Sequence, residues 1–338
     1  MVKVLICGPL PEPVGGVSVH TKRLSELLSK NNITVKLCDE SRQPKEKIPN
    51  IRRIKIKDYL KLVISSDIIH IHSSVTVFRL THLLASSIFR KKTIVTIHSW
   101  RFGKLKSTLW TTALNTLCDK IIFVSQELRK SLPTKDSKSL IFPAFIPPQN
   151  QASPLPPEIS DFIKKSQQQN KKIISSNAFR IVLHNGQDLY GLDICIEAFS
   201  ELFLREKSVL VYVISDPNIN TEKIQNYKNL ILQKGLSETI LIYCGAIDFY
   251  ELIKISDMTI RATNTDGDAL SIRESIYLGV PCVASDCVAR PKGAITFKNR
   301  SASSLAKTIS SHLNTHPSPP ENDNEKIINF YKDLYRGV

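Results

Sequence analysis

The chain has 338 residues, 42% of them hydrophobic and 23% charged, with a formal net charge of +15. That length predicts two domains of roughly 150 to 170 residues each, and the composition excludes disorder as the default state. The charge is lopsided: residues 1–150 carry 25 Lys/Arg against 10 Asp/Glu, while residues 151–338 carry 21 of each. This points the first half toward an anionic partner: nucleic acid, an anionic membrane or a phosphorylated substrate.

Met1–Cys7 (MVKVLIC) is short, apolar and followed at once by loop residues. It reads as a buried first strand rather than a signal peptide, whose apolar core is longer. No apolar run approaches the ~18 to 20 residues of a membrane span. Further strands are predicted at Ile33–Cys38, Ile68–His72, Thr93–His98 and Lys120–Val124. They are nearly continuous in apolar residues, as strands covered on both faces of a parallel sheet are. Between them Val17–Leu28, Val75–Phe89, Ser107–Leu117 and Gln126–Leu132 have helical period, so the first domain, 1–150, is predicted as a doubly wound α/β sheet. Its basic clusters are Arg52, Arg53, Lys55, Lys57 and Lys61, then Arg90, Lys91 and Lys92, then Arg101, Lys104 and Lys106.

The run PAFIPPQNQASPLPPE is dense in proline, which cannot continue a helix or a central strand, and 151–170 is predicted as an interdomain linker. The alternation then restarts over 171–316. Strands are predicted at Lys172–Ser175, Val209–Ser215, Ile240–Tyr243, Met258–Arg261 and Pro281–Ala284. Helices are predicted at Asp193–Arg205, Glu222–Lys234, Phe249–Ile255, Leu270–Leu278 and Ser301–Leu313. A second break, HPSPPEND, precedes a last helix within 317–338, and the sequence leaves open whether that helix returns to the first domain. Two such domains leave a cleft between them, and open α/β sheets bind ligands at the carboxyl ends of their strands.

Cysteines 7, 38, 118, 195, 244, 282 and 287 are scattered with no CxxC spacing. That pattern predicts reduced thiols, a cytosolic compartment and no zinc or disulfide framework. Three constellations carry chemistry. Gly15 and Gly16 close a loop before the first helix, where backbone N–H groups approach an anion, though their spacing is not GxGxxG. His70 and His72 alternate on one face of a strand, and His98 ends another, placed to meet a sugar hydroxyl or transfer a proton. The HxH pair has no third ligand at a spacing that suggests metal. Last, Asp266 and Glu274 flank a strand-to-helix turn whose free N–H groups favour a phosphate, and a carboxylate such as Glu274 accepts hydrogen bonds from both hydroxyls of a ribose. Asp268 is a candidate cap for that helix.

RATNTDGDALSIRESIYLGVPCVASD resembles the donor-site signature of retaining GT-B glycosyltransferases of family GT4, an acidic residue and a glutamate separated by seven others. PVGGVSVH, IHIHS, TIVTIHSW, CDKIIFVS, PAFIPP and DLYGLDICIEAF extend the resemblance over nearly the whole chain, in the family's order. It implies a GT-B fold, two Rossmann-like domains facing each other across a cleft, with an N-terminal acceptor domain and a C-terminal donor domain. It implies catalytic roles for His98 and Asp266, near the transferred sugar. Gly15, Gly16, Arg180, Leu270, Ser271 and Glu274 would bind the donor, with Arg180 on the diphosphate and Glu274 on the ribose. There are three departures: Asp266 is shorter than the usual glutamate, Tyr190 replaces a lysine before Gly191, and Ser99 replaces a glycine. Arg180, Arg261 and Arg273 are the candidates to supply the missing cation.

The resemblance therefore implies a retaining, metal-independent hexosyltransferase that needs no cofactor beyond its nucleotide diphosphate sugar donor. The basic first domain suggests a saccharide acceptor that is lipid-linked, a cytoplasmic enzyme docked on an anionic membrane, and a place in cell-surface polysaccharide synthesis. Two alternatives stand beside it. Another GT-B enzyme, an epimerase or a phosphorylase, shares the fold. A non-catalytic nucleic-acid binder fits the charge but lacks interleaved aromatics and any known module, so no nucleic acid is expected.

Overall fold

The computed structural model describes residues 2–12, 14–100, 104–149, 154–201, 206–218, 220–315, 317–318 and 324–337. Arg101, the Lys104 and Lys106 side chains, residues 151–153 of the expected linker, the end of the helix expected over Asp193–Arg205 and most of HPSPPEND lie outside the description. The chain divides into two units, Met1–Asn150 with Asn322–Val338, and Gln151–Glu321.

The first unit holds a six-stranded parallel sheet of β1 (Lys3–Gly8), β2 (Thr34–Asp39), β3 (Ile68–Ile71), β4 (Lys92–Ile97), β5 (Lys120–Phe123) and β6 (Ser139–Ile141), in the order β2-β1-β3-β4-β5-β6. Its central strands β1, β3, β4 and β5 are mainly apolar because alternate residues feed two cores. Leu5, Ile69, Ile71, Val95, Ile97, Ile121 and Phe123 join Tyr59, Val63, Leu83 and Leu114 from the helices Ile56–Ile64, Thr76–Ile88 and Lys104–Leu117. Val4, Ile6, Ile68, Ile94 and Ile122 face Leu24, Leu27 and Leu28 of the helix Gly16–Lys30. The same core takes Ile327, Tyr331, Leu334 and Tyr335 from the last helix, Asn324–Arg336, and Phe330 of that helix stacks on Phe142 with ring centroids 3.7 Å apart. The spacing of 327, 331, 334 and 335 is one helical stripe, so the final segment closes one face of the first sheet.

The second unit repeats the plan with β7 (Lys172–Ala178), β10 (Ser208–Ile214), β11 (Ile240–Cys244), β12 (Met258–Arg261), β13 (Cys282–Ser285) and β14 (Ala294–Phe297), ordered β11-β10-β7-β12-β13-β14 and all parallel. A separate small hairpin pairs β8 (Leu183–His184) with β9 (Gln187–Asp188). The strand order reverses between β7 and β12. In such sheets ligands bind beyond the carboxyl ends of the strands at that reversal.

The expected linker over 151–170 needs correction. Pro157–Gln168 is a helix whose Ile159 and Ile163 are buried against Val209, Val211 and Ile173. Proline stands at its start, where the missing N–H is no loss and the fixed φ suits the first turn. Proline density marks the helix's beginning here, not an unstructured connection. Among the described residues no helix is long and apolar enough to cross a membrane.

Candidate active site

The segment Asp266–Glu274 follows β12 and so lies at the reversal of the second sheet. The Asp266 side chain is largely buried and its carboxylate is fully engaged. Arg261, the last residue of β12, donates to it from Nε and Nη2 at 3.0 and 3.1 Å, Arg290 donates from Nη1 at 2.9 Å, and the Thr263 hydroxyl donates at 3.0 Å. Burial alone would raise the carboxyl pKa, but the two guanidinium groups win and hold it down to about 2. Arg261 is raised in turn by Asp266, against its own desolvation. Two cations share one anion, so the triad presents net positive charge.

Arg290 also donates to the Ser285 carbonyl and hydroxyl, which locks it in place. No feature of spacing marked it in the sequence, because it sits in a loop after β13. Asp268, the candidate cap, stands just before the N-cap residue Ala269. It pairs with Arg273, and the helix Leu270–Tyr277 has Ala269 as its N-cap with no side-chain cap bond. The first-turn N–H groups at Leu270 and Ser271 therefore have no acceptor within the helix, a ready site for an anion. Glu274 lies one turn further along the same helix and is buried.

Arg180 follows β7 on the other side of the reversal. It forms an ion pair with Asp216 at 3.2 Å and lies over the Phe179 ring. Tyr190, at the place of the missing lysine, has its ring 5.2 Å from the Arg261 guanidinium carbon, within cation–π range. Gly191 is required by the backbone. Its φ is +73°, and a Cβ there would meet the Ala262 carbonyl oxygen at 2.2 Å. Of the three candidate replacements for the lysine, Arg261 is the one in contact with the tyrosine.

In the first unit Gly15 is the N-cap of Gly16–Lys30 and is extended, with φ −149°. Neither glycine uses a left-handed conformation, and a Cβ on Gly16 would meet nothing within 4 Å. At Gly16 it is open space, rather than backbone geometry, that the glycine provides. Beyond it, three histidines converge: His20 from that helix, His72 after β3 and His98 after β4, with one ring nitrogen of each within 4.8 Å of the others. Only His72 of the HxH pair joins this trio, and His20 was hidden because it is remote in sequence.

The His20 Nδ1–H donates to the Ala144 carbonyl at 2.6 Å, and Nδ1 of His72 bonds Nε2 of His98 at 3.2 Å. Nε2 of both His20 and His72 is buried without a hydrogen-bond partner among the described residues. His70 is the satisfied structural histidine, held by Tyr335 and Thr96 at 2.7 and 2.8 Å. Burial lowers His20 to about 4, with Arg23 adding to the effect against the Ala144 bond, and lowers His70 to about 3. It also drives His72 and His98 well below the ordinary value. His98 keeps part of its surface exposed. At neutral pH the cluster is uncharged, suited to hydrogen bonds with hydroxyls rather than to ion pairing.

Two family models match the chain. The model for glycosyl transferases group 1 matches residues 163–329, and the model for glycosyltransferase family 4 matches residues 14–138. The chain belongs to the group 1, family 4 glycosyltransferases. HepE from Anabaena, solved with UDP and glucose, has a TM-score of 0.73 at 13% identity and covers 100% of each chain. A glycosyltransferase from Rickettsia africae ESF-5 has a TM-score of 0.72 at 17% identity, covering 99% of this chain and 98% of its own. WaaG, a glycosyltransferase involved in lipopolysaccharide biosynthesis, gives 0.66 at 14%, covering 99% and 100%. These likenesses show the fold, and this glycosyltransferase has the two Rossmann-like units of the GT-B class. A search of curated proteins finds no match.

Proposed function

We propose that this glycosyltransferase moves a hexosyl unit from a nucleotide diphosphate sugar to a saccharide acceptor, with retention of configuration and without a metal ion at the donor. The observation that carries the reading is the net-positive Arg261–Asp266–Arg290 triad beside the N-terminal start of Leu270–Tyr277 at the strand-order reversal. A leaving diphosphate gains most from fixed positive ends placed where its charge develops. In this reading the Leu270 and Ser271 amides and Arg180 bind the diphosphate, and Glu274 binds the ribose hydroxyls. Gly15 and Gly16 leave room for donor phosphate and acceptor, and His98 contacts the transferred sugar. Asp266 acts as a positioning residue that holds two arginines.

The bond between the anomeric carbon and the diphosphate oxygen breaks as the acceptor oxygen bonds to that carbon on the same face. The acceptor's proton passes to the departing phosphate oxygen. Both loop carboxylates are held by arginines, Asp266 by Arg261 and Arg290 and Asp268 by Arg273, which argues against either as a nucleophile or as one of a metal-binding pair. HepE was solved with UDP-glucose, so UDP sugars are the first donors to try.

The acceptor we propose is lipid-linked, met at the cytoplasmic face of an anionic membrane in cell-surface polysaccharide synthesis. The helices Ile56–Ile64, Thr76–Ile88 and Lys104–Leu117 lie side by side and expose Ile56, Ile64, Val77, Leu80, Leu84, Ile88 and Leu109 to solvent. Exposed Arg52, Arg53, Lys55, Lys57, Lys61, Arg90 and Lys92 accompany them. Apolar side chains among cations match a surface of acidic lipid headgroups. Incubation with a labelled sugar nucleotide and a lipid-linked acceptor tests the reading: an α-linked glycoside from an α-linked donor supports it. An inverted product, or an epimerised sugar with no glycoside, overturns it.

A further inference from the structure

A second convergence of side chains lies in the first unit, away from the donor residues. Cys7 and Cys38 are register partners on the adjacent parallel strands β1 and β2, so they leave the same face of the sheet. His82, from the helix Thr76–Ile88, meets them there. One ligand atom from each of the three lies within 4.8 Å of the others, and all three residues are buried. Glu40, two residues beyond Cys38, brings Oε1 to 3.2 Å from His82 Nε2. The two atoms are close without the alignment of a hydrogen bond. His82 Nε2 and both Glu40 oxygens are buried with no hydrogen-bond partner among the described residues.

Buried polar atoms are as a rule hydrogen-bonded, and exceptions have causes. Ligation of a common ion is such a cause. Zinc binds Cys sulfur at about 2.3 Å and His nitrogen or Glu oxygen at about 2.0 to 2.2 Å in a tetrahedron, which places nitrogen and oxygen ligands roughly 3.3 Å apart. The separation of His82 from Glu40 agrees with that edge. A zinc-bound histidine also has its second ring nitrogen held by an outer partner. Here Nδ1 of His82 is held by the Tyr59 hydroxyl at 2.8 Å.

We propose that Cys7, Cys38, Glu40 and His82 form a structural site for one zinc-class divalent ion. Two S–H bonds break and two metal–sulfur bonds form, with both protons leaving to solvent and no oxidant or reductant required. One dication replaces two protons, so the buried charge of the cluster is unchanged. Arg79 is buried, its charge offsets the Glu40 carboxylate electrostatically in either state, and its Nη1 has no hydrogen-bond partner among the described residues. Four protein ligands leave no open position, which makes the role structural. The ion would tie the carboxyl ends of β1 and β2 to the helix Thr76–Ile88. The dispersed spacing of the cysteines conceals the site, because its ligands come from two strands, a loop and a helix.

The full chain, stripped by a chelator and titrated with Co2+ under reducing conditions, tests this directly. The expected result is one equivalent bound, tetrahedral d–d bands, thiolate-to-cobalt charge transfer in the near ultraviolet, and release of two protons per ion. Stoichiometric Zn2+ should erase the spectrum. Cys38→Ser should cut the charge-transfer intensity about twofold, since one of two thiolates is lost, and His20→Asn should leave it unchanged. If Cys38→Ser does not fold, the wild-type spectrum alone decides. No stoichiometric binding overturns the proposal. Binding without a thiolate band also overturns it, by placing the ion on His20, His72 and His98.

Discussion

The two units carry the same kind of sheet, yet the polar groups gathered around their candidate ligand residues differ in charge. In the second unit charge stays charged: Asp266 lies between Arg261 and Arg290, and Asp193 is paired with Arg300. In the first unit His20, His70, His72 and His98 are packed together and kept neutral by burial. The difference fits a division of labour between a unit that receives a diphosphate and a unit that meets hydroxyls. A preset cationic field suits the first task, and uncharged donors and acceptors suit the second.

The sharpest way to break the comparison is to remove the anion from the charged side. Asp266→Asn leaves two buried guanidinium groups without their shared partner, and a loss of about 3 to 5 kcal/mol in unfolding free energy is expected. Adding Arg290→Met to Asp266→Asn should recover part of the loss in urea denaturation. Equal stability of Asp266→Asn and wild type would contradict the ion-paired account.

Acid separates the units next. His20 has its folded pKa lowered to about 4, so the unfolded chain binds the extra proton first. Its contribution is complete above about 6.5 and is lost as pH falls from there toward 4, about 3 kcal/mol in all. Asp266 is depressed to about 2, so its contribution persists down to about 4 and is lost only as pH falls from there toward 2. Hydrogen exchange followed by mass spectrometry should therefore show the first unit loosening near pH 5 while β12 and its neighbours stay protected. Simultaneous loosening would remove the contrast.

Glu274→Ala should lower kcat/KM roughly 10- to 100-fold or more through the loss of charge-assisted hydrogen bonds. The smallest effect belongs to the membrane face. Leu80→Asp with Leu84→Asp should reduce binding to anionic vesicles about tenfold while leaving turnover of a water-soluble acceptor intact. If vesicle binding holds in that variant, these helices are not the docking surface.

Much of the architecture was legible because buried parallel strands are continuous apolar runs: β1, β3, β4, β5, β10 and β12 lie within a residue or two of their predicted bounds. The strands Ser139–Ile141 and Ala294–Phe297 were not, being edge strands of only three and four residues. The helix Ile56–Ile64 was masked by its lysines, since only Tyr59 and Val63 are buried. At the candidate site, Asp266 and Glu274 stood out because they bracket one short turn. Arg290 and His20 did not, because each joins its cluster through tertiary packing rather than along one element. The Asp266 environment was equally invisible, since a spacing reveals a carboxylate but not the cations that surround it.

Binding of a nucleotide diphosphate sugar by the second unit around Leu270–Tyr277 is tested by thermal unfolding against UDP-, GDP-, ADP- and TDP-sugars for wild type and Glu274→Ala. One base class should stabilise the wild type, by about 2.7 kcal/mol at a hundredfold excess over Kd, and the variant's response should be largely lost. No stabilisation of the wild type by any of the four, or an equal response in Glu274→Ala, would contradict it.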